Sequence, residues 1–155
     1  MSAPAPPPYS PIVRAGDWLI VSGQIGLVDG ELVRGGVQDE FRQAVTNMAA
    51  LLEREGSSLA DVRKTTVFLR HMRDYWLVNE VYAELFAAPF PARSAIAVVE
   101  LPFVALVEIE AGPSSVRDTS DRPTTRTATG CWPAGPRRGL MAAWSERSSS
   151  SSSCC

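Results

Sequence analysis

The stretch Trp18-Leu-Ile-Val-Ser-Gly-Gln-Ile25 decides the fold, because it is apolar on both sides of an extended chain. Successive side chains of a strand point to opposite faces, so Leu19 and Val21 share one face. Trp18 and Ile20 then lie on the other face. A strand that is apolar on both sides predicts a sheet that is covered on both faces.

Outward from this strand, the pattern predicts two helices. Phe41, Val45, Met48 and Leu52 are spaced four, three and four residues apart, which predicts one apolar helix face over Val37–Glu55. Gly56 follows as a left-handed C-cap. Asp74 is the predicted N-cap of the second helix, which ends before Ala88-Pro-Phe-Pro91 because proline disfavours helix in the preceding residue.

The remaining apolar runs predict strands, and the turn Val28-Asp-Gly-Glu31 predicts a hairpin between the first strand and a second one. The predicted strands after the first are Glu31–Arg34, Val62–Leu69, Arg93–Val99 and Leu106–Ala111. The order ββαβαββ is typical of the α+β class, with a single sheet and both helices on one face. Two helices cover only one face, so we expect a second copy of the chain on the other, in a homo-oligomer.

The composition divides the 155 residues into three parts. Residues 1–8 are rich in Pro and Ala and are expected to be extended, and residues 9–113 form the predicted domain. Residues 114–155 are rich in Ser, Thr and Arg without a strand or helix period, which predicts a disordered tail. That tail carries six Arg and three acids, a net charge of +3, which leaves −5 for residues 1–113 of the total of −2.

These features exclude several classes of protein. A domain of charge −5 is a poor match for a phosphate backbone, so no nucleic-acid partner is expected. The N-terminus lacks the basic start and apolar stretch of a signal peptide, and no window approaches the ~20 apolar residues of a membrane span. All three cysteines lie in the tail, which gives no support for an oxidising compartment. We therefore expect a cytoplasmic protein without a membrane partner.

Two residue types carry candidate chemistry. Arg93 begins an apolar strand, where a guanidinium needs an anion, either a ligand carboxylate or an internal partner such as Glu108 or Glu110. Both glutamates alternate with Val107 and Ile109 and therefore point away from the helices. One of them is a candidate for orienting a water, and solvated alternation on a strand is the plainer interpretation. The single histidine lies in a charged loop, so a Ser-His-Asp hydrolase is not indicated.

Five short motifs resemble the reactive intermediate deaminase family (RidA/YjgF). They occur in the family's order over roughly residues 9–111 and are Val21-Ser-Gly-Gln-Ile25, Lys64-Thr-Thr-Val-Phe68, Val78-Asn-Glu-Val-Tyr82, Phe90-Pro-Ala-Arg-Ser94 and Val107-Glu-Ile-Glu-Ala111. The resemblance implies a chorismate-mutase-like fold and a homotrimer in which the sheets form an inner barrel. It also implies hydrolysis of 2-imino and 2-enamino acids to 2-oxo acids and ammonia, without metal or cofactor.

The resemblance assigns roles to particular residues. Arg93 would bind the substrate carboxylate and Glu108 would position the attacking water. The remaining candidates, which would line a cleft between subunits, are Tyr9, Ser22, Gly23, Asn79 and Ala95. At the position of Ala95 many deaminating members have cysteine, and the family's Gly-Pro-Tyr-Ser start is Pro7-Pro-Tyr-Ser10 here, followed by Pro11.

Two other functions are compatible with the same pattern. A non-catalytic trimeric relative would use Arg93 to hold a 2-oxo acid or a similar metabolite without turning it over. Glu108 favours the enzyme over this alternative, since a pure binder has no need of a carboxylate that orients water. A ribonuclease or translation inhibitor is disfavoured by the charge of −5 on residues 1–113.

Overall fold

Five strands form one mixed sheet in the structure, a computed structural model that describes residues 8–115. The bounds are β1 Ile12–Ala15, β2 Trp18–Gln24, β5 Lys64–Leu69, β6 Ala92–Ala97 and β7 Val107–Ser115, and a separate short pair consists of β3 Leu27–Val28 and β4 Glu31–Leu32. The order across the main sheet is β1-β2-β7-β5-β6. β5 and β6 run parallel and the other neighbours in the sheet run antiparallel. The α+β class is confirmed. The main sheet also has the order ββαβαββ, but its two leading strands are β1 and β2, whereas the prediction counted Glu31–Arg34 as the second strand.

The predicted hairpin between the first strand and Glu31–Arg34 is wrong. The partner of β2 is β1, which pairs from Ile12 to Ala15 across a turn that contains Gly16 at φ 60°. The other side of β2 is bonded to β7, so no edge remains for a third neighbour. The turn at Asp29-Gly30 does form, but it joins only β3 to β4.

Within residues 8–115, two helices cover one face of the sheet. They are α1, Val37–Arg54, and α2, Tyr75–Leu85, which is preceded by a 3₁₀ turn over Met72–Asp74. Gly56 adopts the predicted left-handed conformation at φ 75°, and Ser57 N donates to Leu52 O behind it. Asp74 stands at the N-cap position, yet its side chain makes no capping hydrogen bond.

The core lies between these helices and the sheet. Alternate residues of the central strands are buried against the helices, as period-two burial requires. They are Leu19 and Val21 of β2, Thr65, Val67 and Leu69 of β5, and Val107, Ile109 and Ala111 of β7. The helices contribute, among others, Phe41, Met48 and Leu52 from α1 and Val78, Val81 and Tyr82 from α2. The predicted apolar face of α1 is therefore confirmed.

The opposite face of the sheet carries no helix among the described residues. Trp18 is 46%, Ile20 51% and Ile96 47% exposed in the single chain, although each belongs to a strand of the main sheet. The prediction that the first strand is apolar on both faces is confirmed, and only one of those faces is covered within one chain.

The described residues end at Ser115, four positions beyond the predicted end of the last strand. Ser114 pairs with Leu19 and Ser115 with Trp18, so β7 continues past the predicted domain boundary at residue 113. The rest of the predicted disordered tail, residues 116–155, lies outside the described residues, as do residues 1–7 of the predicted extended N-terminus. Within residues 8–115, neither helix has the length and apolar content that crossing a membrane requires.

Candidate active site

Arg93 is the second residue of β6 and points to the helix-covered face. Its register partner on β5 is Thr65, which is fully buried beneath α2. Phe90-Pro91 ends the connection from α2, and the strand begins directly after it. The parallel pairing of β5 and β6 through α2 therefore places the guanidinium beside the helix that precedes it.

Within residues 8–115, the groups in contact with the Arg93 guanidinium are uncharged. Nη2 donates to Asn79 Oδ1 at 2.5 Å and to the Tyr75 hydroxyl oxygen at 3.3 Å. The guanidinium carbon lies 4.6 Å from the centre of the Tyr82 ring and 5.4 Å from that of Tyr75, within the range of cation–π attraction. A recess of about 330 Å³ opens beside Arg93.

The internal ion pair considered for Arg93 does not form within residues 8–115. Glu108 and Glu110 are paired with Phe68 and Thr66 of β5, whose side chains face away from the helices. The guanidinium and both carboxylates therefore lie on opposite faces of one sheet. Among the described residues, no carboxylate forms a salt bridge with Arg93.

Glu108 lies over β2 because residue 23 is glycine. A Cβ placed on Gly23 would come within 1.6 Å of Glu108 Oε1, far inside any real contact distance. Glycine at a strand end predicts a close approach to the backbone, and the group that approaches is this carboxylate. Burial raises the pKa of Glu108, and the neighbouring charge of Glu110 raises it further.

A cleft of about 530 Å³ opens in front of Glu108. Tyr9 and Gly23 line it with Glu108, and apolar walls come from Pro11, Leu51 and Phe103, among others. Tyr9 is 63% exposed in the single chain.

Ser22 lies next to this cleft without lining it. Its hydroxyl donates to Ser10 O at 2.7 Å, and its backbone N–H donates to Pro11 O at 3.0 Å. In the described structure Ser22 thus holds the segment that carries Tyr9, and direct contact with a ligand stays a prediction for this residue.

The predicted site residues thus fall into two groups within one chain. Arg93 and Asn79 line the recess on the helix side, and Ala95, two residues along β6, packs against the core on that side. Tyr9, Gly23 and Glu108 line the cleft on the other side. One chain does not bring the two groups together.

Residues around Arg93 that the sequence does not single out are Tyr75 and Tyr82. Both fall on the predicted second helix, and Tyr82 also ends the motif Val78-Asn-Glu-Val-Tyr82, but the sequence assigns neither a role. The Tyr82 hydroxyl forms a 2.9 Å hydrogen bond with Thr65 Oγ1, and both side chains are buried. The only signal in the sequence is the four- and three-residue spacing that aligns positions 75, 79 and 82 on one side of a helix.

The chain matches known proteins over nearly all of the described region. The family model described as Endoribonuclease L-PSP matches residues 1–112. A RutC family protein of Pyrococcus horikoshii is 47% identical over 113 residues, which cover 71% of this chain and 90% of the relative. A 2-iminobutanoate/2-iminopropanoate deaminase of Dermatophagoides farinae is 46% identical over 105 residues, 66% of this chain and 82% of the relative.

A solved structure agrees with these matches. The RidA protein of an Antarctic Psychrobacter superimposes with a TM-score of 0.67 at 36% identity, covering 72% of this chain and 91% of that one. The fold, the family model and the sequence identities agree. The chain belongs to the endoribonuclease L-PSP family, the family also named RidA/YjgF.

Proposed function

We propose that the protein is a hydrolytic deaminase that converts 2-imino and 2-enamino acids to 2-oxo acids and ammonia. The observation that carries the proposal is that Arg93 forms no salt bridge with a carboxylate among the described residues. Its side chain also lines an open recess. A planar fork in that position suits the carboxylate that every 2-imino acid carries. Relatives that bear the name of this activity are 42–46% identical to the chain.

The second requirement of the reaction is a group that orients water. Glu108 is half-buried at the cleft, and its raised pKa makes the carboxylate a better proton acceptor than an exposed glutamate. The carbon of a protonated imine is already electrophilic, so a water held beside it supplies much of the rate.

The chemical steps follow from these two groups. The water oxygen bonds to the imine carbon while Glu108 accepts one water proton. Glu108 returns that proton to the nitrogen of the resulting carbinolamine, and the carbon–nitrogen bond breaks as the hydroxyl oxygen forms the carbonyl of the 2-oxo acid. The hydroxyl proton leaves with ammonia as ammonium.

Arg93 and Glu108 of the same chain lie on opposite faces of the sheet, so we propose that the site forms between subunits. The recess with Arg93 and Asn79 on one subunit would face the cleft with Tyr9, Gly23 and Glu108 on the next. The apolar face with Trp18 and Ile20 supports such an assembly, because a second subunit would bury these exposed apolar side chains. The assembly proposed is a homotrimer with these faces lining an inner barrel.

The test compares variants on an imine generated in situ. An amino-acid oxidase produces 2-iminobutanoate, and the release of ammonia and 2-oxobutanoate is followed above the rate in buffer. Truncation of a charged hydrogen-bond donor costs about 2–3 kcal/mol, so Arg93→Ala should lower kcat/KM at least about 30-fold. Arg93→Lys retains the charge without the planar fork, and its kcat/KM should lie between those of the original protein and Arg93→Ala. Equal rates for the protein and Arg93→Ala, or no acceleration over buffer, refute the proposal.

Two alternatives give different results in this assay. A non-catalytic binder would bind 2-oxobutanoate through Arg93 without accelerating imine hydrolysis, and Glu108→Gln would change nothing. An RNA-cleaving activity, suggested by the family description, is disfavoured by the net charge of −5 on residues 1–113. RNA cleavage by the protein, together with RNA binding that weakens steeply as the salt concentration rises, would support this activity.

A further inference from the structure

The surroundings of Arg93 are unusual for a half-buried cation, because three side chains of the described part of the chain contact it and none of them carries a charge. Asn79 and Tyr75 offer neutral oxygens, and Tyr82 offers the face of its ring. A desolvated cation–π contact stabilises a cation about as much as a good hydrogen bond does. The guanidinium is therefore held without being neutralised.

The floor of this arrangement is rigid. Tyr82 is buried, with its ring stacked on Phe86 at a centroid distance of 4.3 Å, and its hydroxyl is bonded to Thr65. Asn79, one turn before Tyr82 on the same helix, is only partly buried. A change at Asn79 thus alters the charge beside Arg93 while the buried floor stays in place.

We propose that Asn79 is a positioning residue that, with Tyr75 and Tyr82, forms an uncharged clamp on Arg93. The clamp fixes the direction of the guanidinium and leaves its full positive charge for a ligand carboxylate. This inference rests on the proposed function for its substrate, and it assigns Asn79 a role through Arg93 in place of direct contact with substrate. The neutrality of residue 79, and not only its ability to accept a hydrogen bond, is the property that matters.

The test is Asn79→Asp, which keeps the shape and strengthens the acceptor. If residue 79 served only to hold Arg93, aspartate would do so equally well or better. In an uncharged clamp the new carboxylate neutralises Arg93, so the Kd for 2-oxobutanoate and the KM for 2-iminobutanoate should each rise at least about tenfold. The kcat should stay within about threefold, because the cleft with Glu108 is untouched. Asn79→Leu, which removes the acceptor without adding charge, should raise both constants only about threefold.

The matched control is Gln38→Glu. It makes the same change from amide to carboxylate beside α2, where Gln38 contacts Glu80 and the carbonyl of Leu77 and does not contact Arg93. This variant should leave Kd and KM within about twofold of the original values.

The outcomes separate this inference from the proposed function. A protein that binds 2-oxobutanoate without hydrolysing imines refutes the deaminase, and the clamp is then judged on Kd alone. A Kd for Asn79→Asp within about twofold of the original value overturns the clamp even if the enzyme is active. If Asn79→Asp fails to fold, Tyr75→Phe tests the clamp, since this change keeps the ring and removes one neutral acceptor. A two- to fivefold rise in the Kd for 2-oxobutanoate supports the clamp, and no rise overturns it.

Discussion

The sharpest prediction concerns Gly23, whose missing side chain leaves the space that Glu108 occupies. In Gly23→Ala the new Cβ would stand 1.6 Å from Glu108 Oε1, and ordinary contact begins at 3.4 Å. The carboxylate must therefore retreat by about 1.8 Å. Misplacing a reacting group by about 1 Å costs on the order of 10²-fold in rate, so kcat should fall at least about 100-fold.

The same substitution should leave the fold intact. The atom that must move is the far end of a flexible side chain, and alanine removes about 0.5–1 kcal/mol of the entropic cost of glycine in a strand. The melting temperature should stay level or rise, and KM should change less than about threefold because Arg93, the proposed carboxylate-binding group, and its contacts are unchanged. Steady-state kinetics on 2-iminobutanoate and thermal melting measure both quantities.

A neighbouring glycine provides the control for this experiment. A Cβ on Gly112 of β7 would meet Ile20 Cα at 3.6 Å, which is an ordinary contact, so Gly112→Ala should keep its activity. A Gly23→Ala protein with kcat within about threefold of the original would show that the placement of Glu108 does not set the rate.

Three further predictions concern pH, backbone strain and assembly. Because burial and Glu110 raise the pKa of Glu108 in the folded state, kcat/KM should rise with pH along an acid limb whose midpoint lies above 4.5. The folded state also holds that proton more tightly than the unfolded chain, so stability is lost as pH rises through the folded pKa. At pH 7.5, Glu108→Gln should thus melt at or above the temperature of the original protein, and at pH 4 this difference should disappear. A lower melting temperature at pH 7.5 would contradict a raised pKa of Glu108. Val104 is a β-branched residue at φ 62°, a conformation that costs about 1–2 kcal/mol of backbone strain. Val104→Asn should therefore raise the melting temperature by about 4 °C. An unchanged or lower melting temperature would argue against strain at this position. Ile20→Glu should shift the protein towards monomers in light scattering and abolish imine hydrolysis, and an active monomer would refute a site shared between subunits.

Local sequence was sufficient for the elements that carry a strong period. The apolar spacing from Phe41 to Leu52 predicted α1 to within one residue at its C-terminal end, since a helix is built from contacts three and four residues apart. β1 went unpredicted because Ile12–Ala15 is only four residues long and follows a run of prolines. Its pairing depends on the turn at Gly16, and the turn signal at Asp29-Gly30 favours a different partner for β2.

The candidate site shows the same division. Arg93 and Glu108 were identified in the sequence, by the cost of a cation on an apolar strand and by motifs that resemble a known family. Whether Arg93 meets an internal carboxylate depended on strand register, which puts Glu108 and Glu110 on the opposite face. A glycine at a strand end predicts that some group approaches its backbone, but no local signal identifies that group as Glu108, which lies 85 positions further along the chain.

By itself, the sequence determined the chemical character of the faces of the predicted strands, the helix periods and the presence of Arg93 and Glu108, to which the proposed function assigns roles. These properties follow from residue types and short-range spacing, which folding does not alter. Only the tertiary structure decided that the arginine contacts neutral side chains on one face and that the glutamate lies over a glycine on the other. That outcome depends on which strands pair and in which register, because a shift of one residue moves every side chain of a strand to the opposite face.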